Sequence, residues 1–110
     1  MEEQLEHWSP KDFLALLMLY AAHADLVITD EETELIRRKA GENSYKTACR
    51  YFEKHSEYDT LEALLYLRER YHPGEEGKEY IMNFLQEFLS EEEGNVHYEE
   101  SFRIYLNKVL

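Results

Sequence analysis

At 110 residues the chain is long enough to bury one hydrophobic core and too short for two. A hydrophobic fraction of 44%, with nine Tyr, five Phe and one Trp, excludes a disordered acidic tail. The net charge of -12 repels phosphate, which argues against nucleic acid and anionic membranes as partners and leaves cations and basic protein surfaces.

After a short polar start, Ser9-Pro10-Lys11-Asp12 reads as a helix entrance, with Ser9 as N-cap, Pro10 at the first helical position and Asp12 as the capping-box acid. Trp8 either staples onto Phe13 or Leu14 across this cap or sits at a rim. The helix that follows, Phe13 to Ala22, is apolar on nearly every side and should be the most buried element. Asp25 to Ile28 breaks it, since Val27 and Ile28 suit an extended turn. Thr29 then caps a second helix with Glu32 as reciprocal acid, Leu35 and Ile36 inward, a basic end at Arg37-Arg38-Lys39, and Gly41 as a left-handed cap.

A third helix is expected from Asn43 or Ser44, with Tyr45, Ala48, Cys49, Tyr51 and Phe52 toward the core. Asp59 or Thr60 caps a fourth, with Leu61, Leu64, Leu65, Leu67 and Tyr71 inward, and His72-Pro73-Gly74 stops it. A fifth runs from about Glu75 to Leu89 on the stripe Tyr80, Ile81, Phe84, Leu85 and Phe88. A sixth is expected from Tyr98 to Leu110, with Phe102, Tyr105, Leu106 and Val109 inward. No segment alternates with period two for long. The expected fold is a single all-α domain over residues 1–110, a compact bundle of about six helices.

No stretch reaches the roughly 18 apolar residues of a membrane-spanning helix, and Met1-Glu2-Glu3-Gln4 lacks the regions of a secretory signal. A cytosolic location is expected, without membrane insertion. The single Cys49 has no intrachain partner for a disulfide and reads as a small apolar residue on an inner helix face.

Residues 23–34 and 90–100 hold five acids each and no Lys or Arg, so these two windows supply ten of the twelve net negative charges. The segment Asp25-Leu26-Val27-Ile28-Thr29-Asp30-Glu31-Glu32 shares its frame with Glu93-Gly94-Asn95-Val96-His97-Tyr98-Glu99-Glu100, Asp25 aligning with Glu93 and Glu31-Glu32 with Glu99-Glu100. Capping and the helix dipole account for Asp30, Glu31 and Glu32, but not for Asp25 or Glu34. A turn of this kind can offer Ca²⁺ or Mg²⁺ the several oxygens they take. It is not an EF-hand loop, because Ala21, Ala22, His23 and Ala24 stand where the early ligands belong. No phosphate-cradling glycine loop, nucleophile setting or zinc-binding His pair is present, so a non-enzymatic role is expected.

Ala24 to Glu32 resembles the A-D-G-x-(V/I)-(S/T)-x-x-E signature of the tellurite-resistance TerB-like domains, and Glu93 to Glu100 is similar to the repeat in their C-terminal half. The resemblance covers about residues 10–40 and 85–108 and leaves the middle third unassigned. It implies a bacterial, cytosolic bundle of two pseudo-repeated helical halves, a link to stress response, and a metal-associated acidic face. On that face Asp25, Glu32, Glu93 and Glu100 take the family's acidic positions. Leu26 stands where the family has Gly, and Glu93 where it has Asp.

The candidate metal set is therefore Asp25, Asp30, Glu31, Glu32, Glu93, Glu99 and Glu100, with Glu34 and His97 as outer members. Three roles for the two turns stay open: solvated helix starts, a divalent-cation site, or a face that docks a basic protein. Several of the nine Tyr being exposed, self-association through an aromatic surface is a further possibility, and the oligomeric state is open.

Overall fold

A computed structural model describes residues 5–23 and 30–90, apart from the side chains of residues 89 and 90. These residues form five helices: α1 (Pro10–His23), α2 (Asp30–Ala40), α3 (Glu42–Lys54), α4 (Glu57–Tyr71) and α5 (Gly74–Ser90), with no strand among them. The expected sixth helix, the Asp25-to-Ile28 break, the Thr29 cap and the second acidic turn lie outside the described residues.

The capping box forms as the sequence dictates. Ser9 N–H donates to Asp12 Oδ2 at 2.9 Å and Asp12 N–H donates to Ser9 Oγ at 3.2 Å. From this start α1 runs through the middle of the molecule, with eight of its fourteen residues buried. It packs against α2, α3, α4 and α5, most extensively against α3. Each of these helices turns one apolar stripe toward it: Leu35 and Ile36, Ala48 and Tyr51, Leu64 and Leu67, and Ile81, Leu85 and Phe88. Burying a side chain of this size is worth about 1.5–3 kcal/mol, so the stripes dictate how the helices are rotated about their axes. Tyr45, Cys49, Phe52, Leu61, Tyr71 and Phe84 pack half-buried at the edges of this core.

Local details depart from expectation where two residues compete for one role. Trp8 is buried rather than at a rim, its ring meeting Tyr51 of α3 edge-on at 5.4 Å and 80°. Gly41 has φ 93 and ψ 155, a glycine-only conformation that differs from the left-handed cap. Its N–H donates to the Arg37 carbonyl at 2.8 Å and its carbonyl accepts from Tyr45 N–H at 3.0 Å, so one residue both ends α2 and starts α3. That moves the start of α3 to Glu42 and leaves Ser44 buried inside the helix. Arg37 spans the corner, 3.2 Å from Glu34 and 3.3 Å from Glu42, with its guanidinium 4.7 Å above the Tyr45 ring.

The cap of α4 is Ser56, whose Oγ accepts from Asp59 N–H at 3.1 Å, and not Asp59 or Thr60. Ser56 stands one position before the helix, where a hydroxyl meets the third amide. Thr60 lies a full turn inside, fully buried, its hydroxyl without a hydrogen-bond partner among the described residues. Tyr80 lies at the margin of the α5 stripe. It is 47% exposed, and its ring stacks on His72 at 4.5 Å.

The α4–α5 turn is held by Arg68, which donates to the Gly74 carbonyl at 3.1 Å. It is also held by a close approach: a Cβ added at Gly77 would overlap the His72 carbonyl. Helix propensity alone would make Gly77→Ala stabilising by about 1 kcal/mol. The overlap reverses the sign, and urea unfolding should show a loss of about 3 kcal/mol. Thr60→Val, which removes the unmatched hydroxyl and keeps the shape, should raise stability by up to about 1 kcal/mol in the same measurement.

Candidate functional site

The first acidic turn is described from Asp30 onward. Asp30 and Glu31 are exposed at the start of α2, where the positive end of the helix dipole favours them. Glu32 does not join them. It is 2% exposed and faces the interior, because a helix turns its third residue well away from its first two and this one falls on the Leu35 and Ile36 side. Glu34 is exposed and engaged with Arg37 at 3.2 Å, which gives this acid a structural explanation that the sequence alone did not supply. Asp25, Glu93, His97, Glu99 and Glu100 lie outside the described residues.

Behind the turn, His23 ends α1 with its ring stacked 4.2 Å from Phe52. Burial lowers its pKa, while the negative charges of Glu57 and Glu32 oppose that shift. Glu32 therefore acts on the inside of the junction, electrostatically coupled to His23. A hard cation takes six or more converging oxygens. Among the described residues no group of three His, Cys, Asp or Glu side chains is placed to hold a metal ion.

A second feature has the opposite charge. A groove of about 270 Å³ is lined by Trp8, Thr47, Arg50, Tyr51, Lys54 and His55. One wall comes from α3, where Thr47 and Tyr51 are four residues apart and share a face, and from the His55 cap that follows the helix. The neighbouring row, Lys46, Arg50 and Lys54, has the same spacing and is exposed. Trp8 closes the other side. Its carbonyl accepts from the Tyr71 hydroxyl, and the Leu5 carbonyl accepts from Arg70 at 3.4 Å, so the end of α4 ties down the segment before α1.

His55 stacks on Tyr51 at 3.9 Å and 12°, with Nδ1 2.9 Å from the Tyr51 carbonyl. That bond places a proton on Nδ1 and leaves Nε2 for other contacts. Burial and nearby Asp59 raise the Tyr51 phenol, which stays protonated at neutral pH. The four-residue rows were visible in the sequence, but nothing there joined them to Trp8.

Cys49 is half-buried, and burial pushes its thiol up, in keeping with a packing role. No helix among the described residues is long and apolar enough to cross a membrane. Compared with known proteins, the chain matches no family model, no curated protein and no solved structure.

Because the folded value for His23 is lowered, its neutral form contributes stability above the ordinary value of 6.5, and that contribution is lost as pH falls through the folded value. Glu57→Gln removes one of the two charges that oppose the shift. The His23 ring should then titrate at lower pH by NMR than in the parent, and the loss of stability on acidification should be larger. An unchanged or raised His23 titration would contradict the coupling.

Proposed function

We propose that this chain is a non-enzymatic helical binding module whose acidic α1–α2 junction docks on a basic protein surface. The observation that carries this is the arrangement of the α2 acids. Asp30 and Glu31 point to solvent with no Lys or Arg at ion-pair distance among the described residues, while Glu32 is withdrawn into the core. Spread, solvated carboxylates complement a basic face and steer its approach. The lack of a nucleophile setting or a phosphate-cradling loop in the sequence also supports binding over catalysis. The bacterial, cytosolic setting and the tie to stress response belong to the proposal only through the TerB-like motif.

That motif also favours a second function, a site for Ca²⁺ or Mg²⁺. Its ligands would be Asp25, Glu93, Glu99 and Glu100, joined by Asp30 and Glu31. The described members do not fit it by themselves, since Glu32 is turned inward and no three ligating groups converge.

Thermal melts at matched ionic strength separate the two. Docking without an ion gives equal melting temperatures in EDTA and in excess Ca²⁺ or Mg²⁺, whereas a resident cation site gives a rise with ion concentration. For docking itself, a Lys-rich peptide should bind in a salt-sensitive manner, and Asp30→Lys with Glu31→Lys should weaken it about tenfold. An equal loss on reversing Glu75 and Glu76, exposed at the start of α5, would reduce the effect to net charge and sink the site.

A further inference from the structure

The chain has only twelve Lys and Arg against twenty-four acids, yet three of the twelve form one exposed row on α3: Lys46, Arg50 and Lys54. No carboxylate among the described residues is at ion-pair distance from any of them. Two arginines of other helices, by contrast, do meet carboxylates. Arg37 meets Glu34 and Glu42, and Arg68 meets Glu69 at 3.2 Å.

Trp8, Thr47, Tyr51 and His55 line the groove together with Arg50 and Lys54 of the row. We propose that this groove and the row beside it dock an acidic peptide segment of a partner protein. Carboxylates of the segment would meet Arg50 and Lys54, and an apolar side chain would rest against Trp8 and His55.

Spacing and charge select this occupant. Four residues of helix advance about 6 Å, so the three cations are strung out along the surface and do not converge on a point. A single phosphate wants converging donors. An extended peptide places alternate side chains about 6.6 Å apart on one side, which matches the row. A long polyanion such as nucleic acid would meet the repulsion of a chain whose overall net charge is -12, whereas a short acidic segment stays within the local positive field. The volume of about 270 Å³ suits one inserted side chain and not a cofactor.

The chain's only Trp lines the groove, so its emission reports on occupancy directly. The full chain is titrated with a short peptide that alternates Glu with Leu. A saturable change in Trp8 emission, weakened by salt, is expected. The same peptide with Gln for Glu should produce no saturable change. Arg50→Glu with Lys54→Glu should weaken binding at least about tenfold, with the circular dichroism spectrum unchanged because both side chains are exposed and only a small drop in melting temperature from the charge reversed at the end of α3. Should the double variant fail to fold, Lys54→Gln alone should still weaken binding severalfold.

Equal affinity for the charge-reversed protein or for the Gln peptide overturns the proposal. So does the same emission change with inorganic phosphate at matched ionic strength, which would make the groove a small-anion site. Concentration-dependent self-association that blocks the peptide would assign the groove to a second copy of the chain and overturn it equally.

Discussion

Everything in this bundle depends on the burial of α1. Most surface helices spend one stripe on the core and leave the rest to water. This one gives up nearly all its sides, with Ala15, Leu16, Met18 and Ala22 each 0% exposed. Four other helices cover it, and from α2 to α5 they follow one another with almost no loop. That accounts for the single-residue corner at Gly41 and the close approach at Gly77, both of which exist because covering helices have to start where the previous ones stop.

The parts of this fold legible from sequence are those set by local chemistry or by period. Ser9 and Asp12 lie three residues apart and make a capping box in most contexts, and they make one here. Most of the inward stripes of α2 to α5 follow from the 3.6-residue turn, though Leu65 is only half-buried and Tyr80 is exposed. Positions with several qualified candidates were not legible. Ser56, Asp59 and Thr60 all suit a cap, and packing of Thr60 against the core decides for Ser56. Glu32 reads equally as a capping acid, a metal ligand or a surface charge, and only tertiary placement shows it buried beside His23. The acidic character of the α1–α2 junction was plain in the composition. The basic groove was hidden because Trp8 and α3 meet only through the fold.

Charge in this molecule is segregated more than its total suggests. The acids of α2 gather at its first turn and its bases at the last, as the helix dipole favours. The Gly41 corner then hands the basic end of α2 to the start of α3, where Glu42 answers Arg37. Beyond that exchange α3 carries its own row of cations, so a strongly acidic protein presents a positive strip alongside buried aromatic rings.

The tethers on the segment before α1 also bear on how the protein is made. Arg70 and Tyr71 reach back across 65 and 63 residues of sequence to the Leu5 and Trp8 carbonyls. On a ribosome the first residues emerge long before their anchors do, and domains settle as units once enough chain is out. The Trp8 wall of the groove is therefore assembled only after α4 has been synthesised. Until then a nascent chain carries the α3 cations without the indole fixed beside them.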